Sequence, residues 1–340
     1  MTGQGIRTIV VGFGRIADGL RHDARMAKHF TYATHAQVLN DHPAFQWLGV
    51  VDPADDARRA AAEDWKVPHV AADLDTVAKE VEPELAVIAA PPGHRSEIVQ
   101  QLPSLKAVMV EKPLAGGGEE GPAFIGFCRQ HNVHVQVNYW RRGDALYREL
   151  AEGGLEKMIG RPQAAFATYG NGLHNNGSHL VDFIRMLMGE VATVQTLGDV
   201  RLVDGAPLAD DVHAPFALRM AGGALVTVQP LDFGHYREVG LDIWGETGRL
   251  ALYQESLGVF HYPLADNRGL EGEKEIASDK PEVLAPTVGQ ALYRLYDNLA
   301  QVVAGEAEPW SPGDDALQTD LVVGAVLTSA AEGGQRLHFQ

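Results

Sequence analysis

The chain has 340 residues, 45% of them apolar and 21% charged, with 45 acidic against 28 basic side chains and a formal net charge of -17. That length exceeds what one core usually serves, so two domains are expected, and the composition is that of a globular protein rather than a disordered or fibrous one. The acidic excess repels phosphate backbones and anionic lipid, which argues against nucleic-acid and membrane partners but leaves room for a locally basic pocket.

The amino terminus, "MTGQGIRTIVVG", has no long apolar core of a leader peptide and enters a strand almost at once. No later stretch is long and apolar enough to span a bilayer. Cys128 is the only cysteine, so no internal disulfide can form and a reducing cytoplasm is the expected compartment. Within "FIGFCRQH" it reads as a small buried hydrophobe, because nothing nearby offers the electropositive setting of a reactive thiol. The 14 histidines show no paired spacing with Cys or carboxylates, so no metal is expected.

Short apolar runs open the chain: Thr8 to Val11, Leu48 to Val51, Leu85 to Ala89, Ala107 to Val110 and Val133 to Val137. Runs without polar alternation suit strands covered on both faces, and amphipathic segments such as Pro53 to Trp65 and His94 to Leu102 suit crossover helices. This pattern is a doubly wound parallel sheet. After about residue 140 the strands alternate by twos. "ALVTVQPLDF" and "EVGLDIWGETGRLALYQ", with a turn at Glu246-Thr247-Gly248, predict a second, α+β domain built on an antiparallel sheet. "VGQALYRLYDNLAQVV" and "DALQTDLVVGAVLTSAAEGG" carry helical periodicity.

Directly after the first strand stands Gly12-Phe13-Gly14-Arg15-Ile16-Ala17. Gly12 permits a tight turn, Gly14 lets a pyrophosphate approach the backbone, and Ala17 lets a helix lie close to the sheet; an ordinary β-to-α turn is the alternative. Asp52, closing the second strand in "LGVVDP", can accept both ribose hydroxyls and would repel a 2′-phosphate, which favours NAD over NADP. It comes much later than the usual separation of about 20 residues. The extra length is assigned to Arg21 to His35, either a cover over cofactor or substrate or a long solvent loop. "VEKPL" then places Glu111, Lys112 and Pro113 where an apolar strand ends, which alone reads equally as a strand-to-loop boundary.

With both glycines, Asp52, "AVIAAPPGH" and "VEKPL" in order, and with "GNGLHNNGSHLVDFIRMLMG" and the closing "SPGDDALQTDLVVGAVLTSAAEGG" behind them, the sequence resembles the Gfo/Idh/MocA family of sugar and cyclitol oxidoreductases over nearly its whole length. The resemblance implies an α/β protein: an N-terminal Rossmann domain, residues 1–138, and a C-terminal α+β domain, residues 139–340, with a large, mainly antiparallel open sheet and closing helices that pack back on the first domain. It implies NAD held by Gly12, Phe13, Gly14, Arg15, Ile16, Asp52, Ala90, Pro91, His94, Glu111 and Lys112. Lys112 is the first catalytic candidate, since an ammonium beside the reacting hydroxyl can donate a hydrogen bond and shuttle a proton; Glu111 orients it or the cofactor carboxamide. Pro113 is commonly cis in relatives.

His179 is the second candidate, at the start of a helix with Leu180, Phe183, Ile184 and Leu187 on its apolar face, Gly189 as its stop and Ser178 as its cap. Many relatives carry Asp four residues before this histidine, both acting beside the lysine. Here that position holds Asn175, which can hydrogen-bond substrate but cannot be a general base. Arg141, Arg142, Tyr169, Asn171 and His174 are candidates for sugar hydroxyls or a phosphate, and His235 and Tyr236 in "DFGHYREV" are assigned to the second sheet, over the pocket. The function implied is hydride transfer between nicotinamide and a ring carbon of a sugar, nucleotide-sugar or cyclitol, by a homodimer or homotetramer. The alternatives are an enzyme that keeps NAD bound and uses transient oxidation for epimerisation, elimination or glycoside cleavage, and a non-catalytic sensor of NAD and sugar.

Overall fold

The structure is a computed structural model and describes residues 5–114, 118–276 and 279–339. The chain forms two units: residues 1–143 with 288–317, and residues 144–287 with 318–340. The first domain therefore runs past residue 138 and takes back a later segment.

In the first unit, β1 (Ile6–Val11), β2 (Phe45–Val51), β3 (His69–Ala71), β4 (Leu85–Ile88), β5 (Ala107–Val110) and β6 (His134–Val137) form one sheet in the order β3-β2-β1-β4-β5-β6. Every pairing is parallel. The five apolar runs are strands, and β3, only three half-buried residues long, is the one the runs did not announce. Period-two geometry sends Ile9, Val11, Ile88 and Val110 to one face and Val10, Leu85, Val87 and Met109 to the other. Helices Leu74–Val81, Arg95–Gln100 and Glu120–Gln130 cover the first face. His35–Asp41 and the late helix Ala291–Val303 cover the second, the latter through Leu292, Leu295, Tyr296, Leu299 and Val302. Cys128, on the helix Glu120–Gln130, is 1% exposed within the cluster on the first face, and burial pushes its thiol up to about 12.

In the second unit, β7 (Pro162–Tyr169), β8 (Val191–Thr196), β11 (Phe216–Met220), β12 (Leu225–Pro230), β13 (Gly240–Gly245), β14 (Gly248–Tyr253), β15 (Gly258–Asp266), β16 (Lys274–Ile276) and β18 (Leu337–His338) run in the order β16-β15-β14-β13-β7-β12-β11-β8-β18, and β17 (Glu282–Leu284) pairs with β15. All pairings are antiparallel except β7 with β12. A separate two-stranded ribbon joins β9 (Arg201–Leu202) and β10 (Val212–His213). Among the described residues no helix is long and apolar enough to cross a membrane.

Candidate active site

At the end of β1 the chain turns sharply against the sheet. The Gly12 N–H donates to the Val51 carbonyl at 2.8 Å, and Gly12 has φ +87°, a conformation that favours glycine. A Cβ there would lie 2.8 Å from Ala90 N, whereas one on Gly14 would meet nothing within 4 Å. Gly12 is fixed by the fold, and Gly14 leaves an open approach to the backbone. Asp52, 9% exposed, accepts the Phe13 N–H at 2.6 Å through Oδ2 and the Ala54 N–H at 2.8 Å through Oδ1. Each oxygen keeps a second lone pair for a hydroxyl. Bare backbone at Gly14 beside an acceptor-only carboxylate fits the pyrophosphate and ribose of a dinucleotide.

No α-helix follows this turn directly. Asp18 N–H donates to the Gly14 carbonyl at 3.0 Å, short 3-10 turns occupy Gly19–His22 and Met26–Lys28, and the first α-helix begins at His35. Ala17, fully buried, gives its carbonyl to Ala36 N–H at 2.9 Å, so it admits a helix delayed by the extra residues. Those residues are anchored, with Tyr32 N–H on the Gly289 carbonyl at 3.2 Å and Phe30 edge-on to Trp140.

Glu111 follows β5, and the Lys112–Pro113 peptide is cis. Arg95, 2% exposed at the start of its helix, binds the backbone of this stretch: Nη2 donates to the Glu111 carbonyl at 2.5 Å and Nη1 to the carbonyls of Pro113, at 2.9 Å, and Leu114. The Glu111 carboxylate meets His35 Nε2 at 2.9 Å and accepts Asn138 Nδ2 at 2.6 Å. Burial alone would raise its pKa, but the His35 and Asn138 hydrogen bonds and the charges of His35 and Lys112 outweigh this and hold it below the usual range. A half-buried Lys112 thus sits next to an ionised carboxylate. Ala90 is half-buried, and Pro91 and His94 are exposed, with His94 Nδ1 3.2 Å from Glu97. Arg15 is exposed and Ile16 half-buried.

In the second unit, Asn171, His174, Asn175 and His179 are all half-buried within nine residues. A wide π-type turn, Leu173–Gly177, runs into the helix Ser178–Met188. Leu180, Phe183, Ile184 and Leu187 are its buried face, and Gly189, φ +85°, ends it. Asp211, 1% exposed, fixes the turn: Oδ1 accepts His174 N–H at 3.0 Å and Oδ2 accepts Asn175 N–H at 2.9 Å. The sequence reading missed Asp211, Arg95 and His35. Thr34 and Gln37, a capping box around the helix start, are the available signal for His35.

Four expectations change. Ser178 does not cap its helix; it lies inside the first turn, and its hydroxyl donates to the His174 carbonyl at 2.7 Å. Tyr169 is fully buried, and its hydroxyl donates to the Ala214 carbonyl and accepts the Ala214 N–H, both at 2.9 Å, which makes it a core residue rather than a sugar contact. Arg141 and Arg142, expected as contacts for sugar hydroxyls or a phosphate, are buried and engaged within the fold: the Arg141 guanidinium lies 4.5 Å from the Trp140 ring centre, and Arg142 binds Asp315 at 2.5 Å. His235 and Tyr236 are exposed and lie off the sheet, because β12 ends at Pro230 and β13 begins at Gly240. Among the described residues no group of three or more His, Cys, Asp or Glu is placed to hold a metal ion.

The open turn at Gly14, the carboxylate after β2 and the doubly wound sheet define a dinucleotide-binding Rossmann unit. The family model described as an oxidoreductase family with an NAD-binding Rossmann fold matches residues 6–139, and the GFO/IDH/MocA C-terminal domain matches residues 131–251. The chain belongs to the GFO/IDH/MocA oxidoreductase family. It is similar to a trans-1,2-dihydrobenzene-1,2-diol dehydrogenase of Oryctolagus cuniculus, 28% identical over 171 residues that make up 45% of this chain and 52% of that one. A 1,5-anhydro-D-fructose reductase of Ensifer adhaerens is 22% identical over 271 residues, 73% of this chain and 77% of that one. The chain spans about half the length of the dihydrodiol dehydrogenases it matches. Among solved structures, the WlbA dehydrogenase from Bordetella pertussis in complex with NADH and UDP-GlcNAcA shares the fold, with a TM-score of 0.73, 20% identity and 99% of each chain covered.

Proposed function

We propose that this protein is an NAD-dependent dehydrogenase or ketoreductase that acts on a CH–OH group of a sugar, nucleotide-sugar or cyclitol. The observation that carries the reading is Lys112 beside the hydrogen-bonded Glu111 carboxylate, just past the C-terminal end of β5 in an NAD-binding sheet. The names of the relatives, a diol dehydrogenase and an anhydro-sugar reductase, support the substrate class.

Gly12, Phe13, Gly14, Arg15 and Ile16 would hold the pyrophosphate, Asp52 the ribose, and Ala90, Pro91 and His94 the nicotinamide half. Nicotinamide supplies the hydride chemistry when bound. The chain's own part is the proton. Neutral Lys112 takes it from the substrate hydroxyl during oxidation, and its ammonium returns it to the carbonyl oxygen during reduction. The ionised Glu111 carboxylate, next to Lys112 in the chain, offers the ammonium a counter-charge. Asn171, His174, Asn175 and His179 would contact substrate hydroxyls, with His179 as a further proton group and Asn175 limited to hydrogen bonding.

The test is NADH formation with a panel of sugars, sugar acids and cyclitols, repeated with Lys112→Ala. Loss of a positioned proton-transfer group should lower kcat by roughly 10² to 10⁴ with NAD affinity little changed. Near-wild-type turnover in the variant would remove the lysine from the chemistry. Substrate conversion without net NADH would mean transient oxidation, and neither would mean a sensor.

A further inference from the structure

Glu111 is held by a residue 76 positions earlier in the chain. His35 is fully buried, with Nε2 2.9 Å from Glu111 Oε1 and Nδ1 2.7 Å from the Tyr296 hydroxyl. Tyr296, also fully buried, comes from the helix Ala291–Val303, and its ring packs edge-on to the imidazole. Asn138, 4% exposed just after β6, donates to the same Glu111 oxygen. Two separate elements of one unit therefore bind a single carboxylate, and a third orients one of them.

The donor directions follow from chemistry. An ionised carboxylate only accepts, so Nε2 carries the hydrogen toward Glu111. In the neutral ring Nδ1 then accepts from the Tyr296 hydroxyl, and in the charged ring it donates to that oxygen. Either way Nε2–H points at Glu111. Burial first, and then the Glu111 charge, raise the Tyr296 pKa well above its ordinary value, so the hydroxyl keeps its proton. The ring cannot drift, because Thr34 accepts Gln37 N–H at 3.3 Å and Gln37 accepts Thr34 N–H at 3.1 Å, fixing the helix start on which His35 stands.

We propose that His35 is a positioning residue for the reaction: its imidazole, oriented by Tyr296, fixes the Glu111 carboxylate beside Lys112. This gives the stretch from Arg21 to His35 a task other than covering a ligand, namely to set a buried donor under the Glu-Lys-Pro segment. The proposal rests on the role assigned to Lys112 above. The groups facing Glu111 are His35 from its helix, Asn138 after β6, Lys112 next in the chain, and the Arg95 guanidinium on the Glu111 backbone carbonyl. Among the described residues, the titratable groups hydrogen-bonded to the His35 ring are Glu111 and Tyr296.

The experiment compares His35→Leu, which removes the donor, with His35→Gln, whose amide can still donate to Glu111. One readout does not depend on turnover: titration of the Glu111 carboxyl by ¹³C NMR, with the signal assigned through Glu111→Gln. In His35→Leu the carboxyl should titrate at higher pH than in the wild type, and in His35→Gln it should stay close to wild type. With an active substrate, His35→Leu should lower kcat by between about 10- and 100-fold, as a misplaced reacting group does, with KM for NAD unchanged. If His35→Leu does not fold, Tyr296→Phe removes the orienting hydroxyl alone and should move the Glu111 titration by less in the same direction. An unmoved titration in both His35→Leu and Tyr296→Phe, or His35→Gln behaving like His35→Leu, overturns the proposal. A moved titration in a protein that turns over no substrate leaves His35 holding Glu111 and overturns the dehydrogenase reading instead.

Discussion

Gly12 and Gly14 stand two residues apart in one turn and should fail in different ways when given a side chain. At Gly12 a methyl group meets Ala90 N at 2.8 Å and a φ of +87°, so Gly12→Ala should destabilise the fold by about 1–3 kcal/mol, read as a lowered Tm without ligand. At Gly14 the methyl meets no protein atom within 4 Å. Gly14→Ala should keep the wild-type Tm and weaken NADH binding, measured by fluorescence titration; unchanged affinity would mean that the cofactor phosphates lie elsewhere. Asp211 separates fold from function in another way. In Asp211→Asn one acceptor oxygen becomes a donor facing the N–H of His174 or Asn175, and an unpaired buried donor costs about 1–3 kcal/mol. Tm should fall and KM for substrate should rise, while NADH affinity, a property of the other unit, stays put.

At the level of elements, the late helix Ala291–Val303 covers one face of the parallel sheet through Leu295, which is fully buried. Leu295→Ala should cost about 2–5 kcal/mol in denaturant unfolding, as buried leucine truncations do, although the residue lies far from the sheet in sequence. That helix also shows where the sequence stopped being legible. Its amphipathic period was plain in "VGQALYRLYDNLAQVV", but an apolar stripe does not encode which surface it will meet. The strands were legible because both sheet faces are covered, which makes the run from Leu85 to Ile88 entirely apolar. β3 was not, since three half-buried residues at an edge leave no such run. In the site, the Gly-rich turn, Asp52 and Glu111-Lys112 could be read because local spacing carries their chemistry. His35, Arg95 and Asp211 could not, because each acts through partners brought together only by folding.

The whole molecule carries a net charge of -17, and the proposed cofactor is itself an anion. Long-range repulsion should slow their encounter, and salt should relieve it as the screening length falls from about 30 Å at 0.01 M to about 8 Å at 0.15 M. The association rate constant for NADH, by stopped-flow fluorescence, should therefore rise with ionic strength; a rate that falls would show that the local field of the Gly-rich turn dominates. The return of residues 288–317 to the first unit also has a consequence for the order in which the protein is made. The ribosome releases Val10, Leu85, Val87 and Met109 long before it releases Leu295, Tyr296 and Leu299, which bury them. At about 5–20 residues per second, the intervening chain takes on the order of ten seconds or more to synthesise. Throughout that interval the part of the nascent sheet's apolar face that Ala291–Val303 will cover stays open, with His35–Asp41 already made beside it, so the first domain to emerge must wait for the late helix before it can close, and it is the natural client for a holding chaperone.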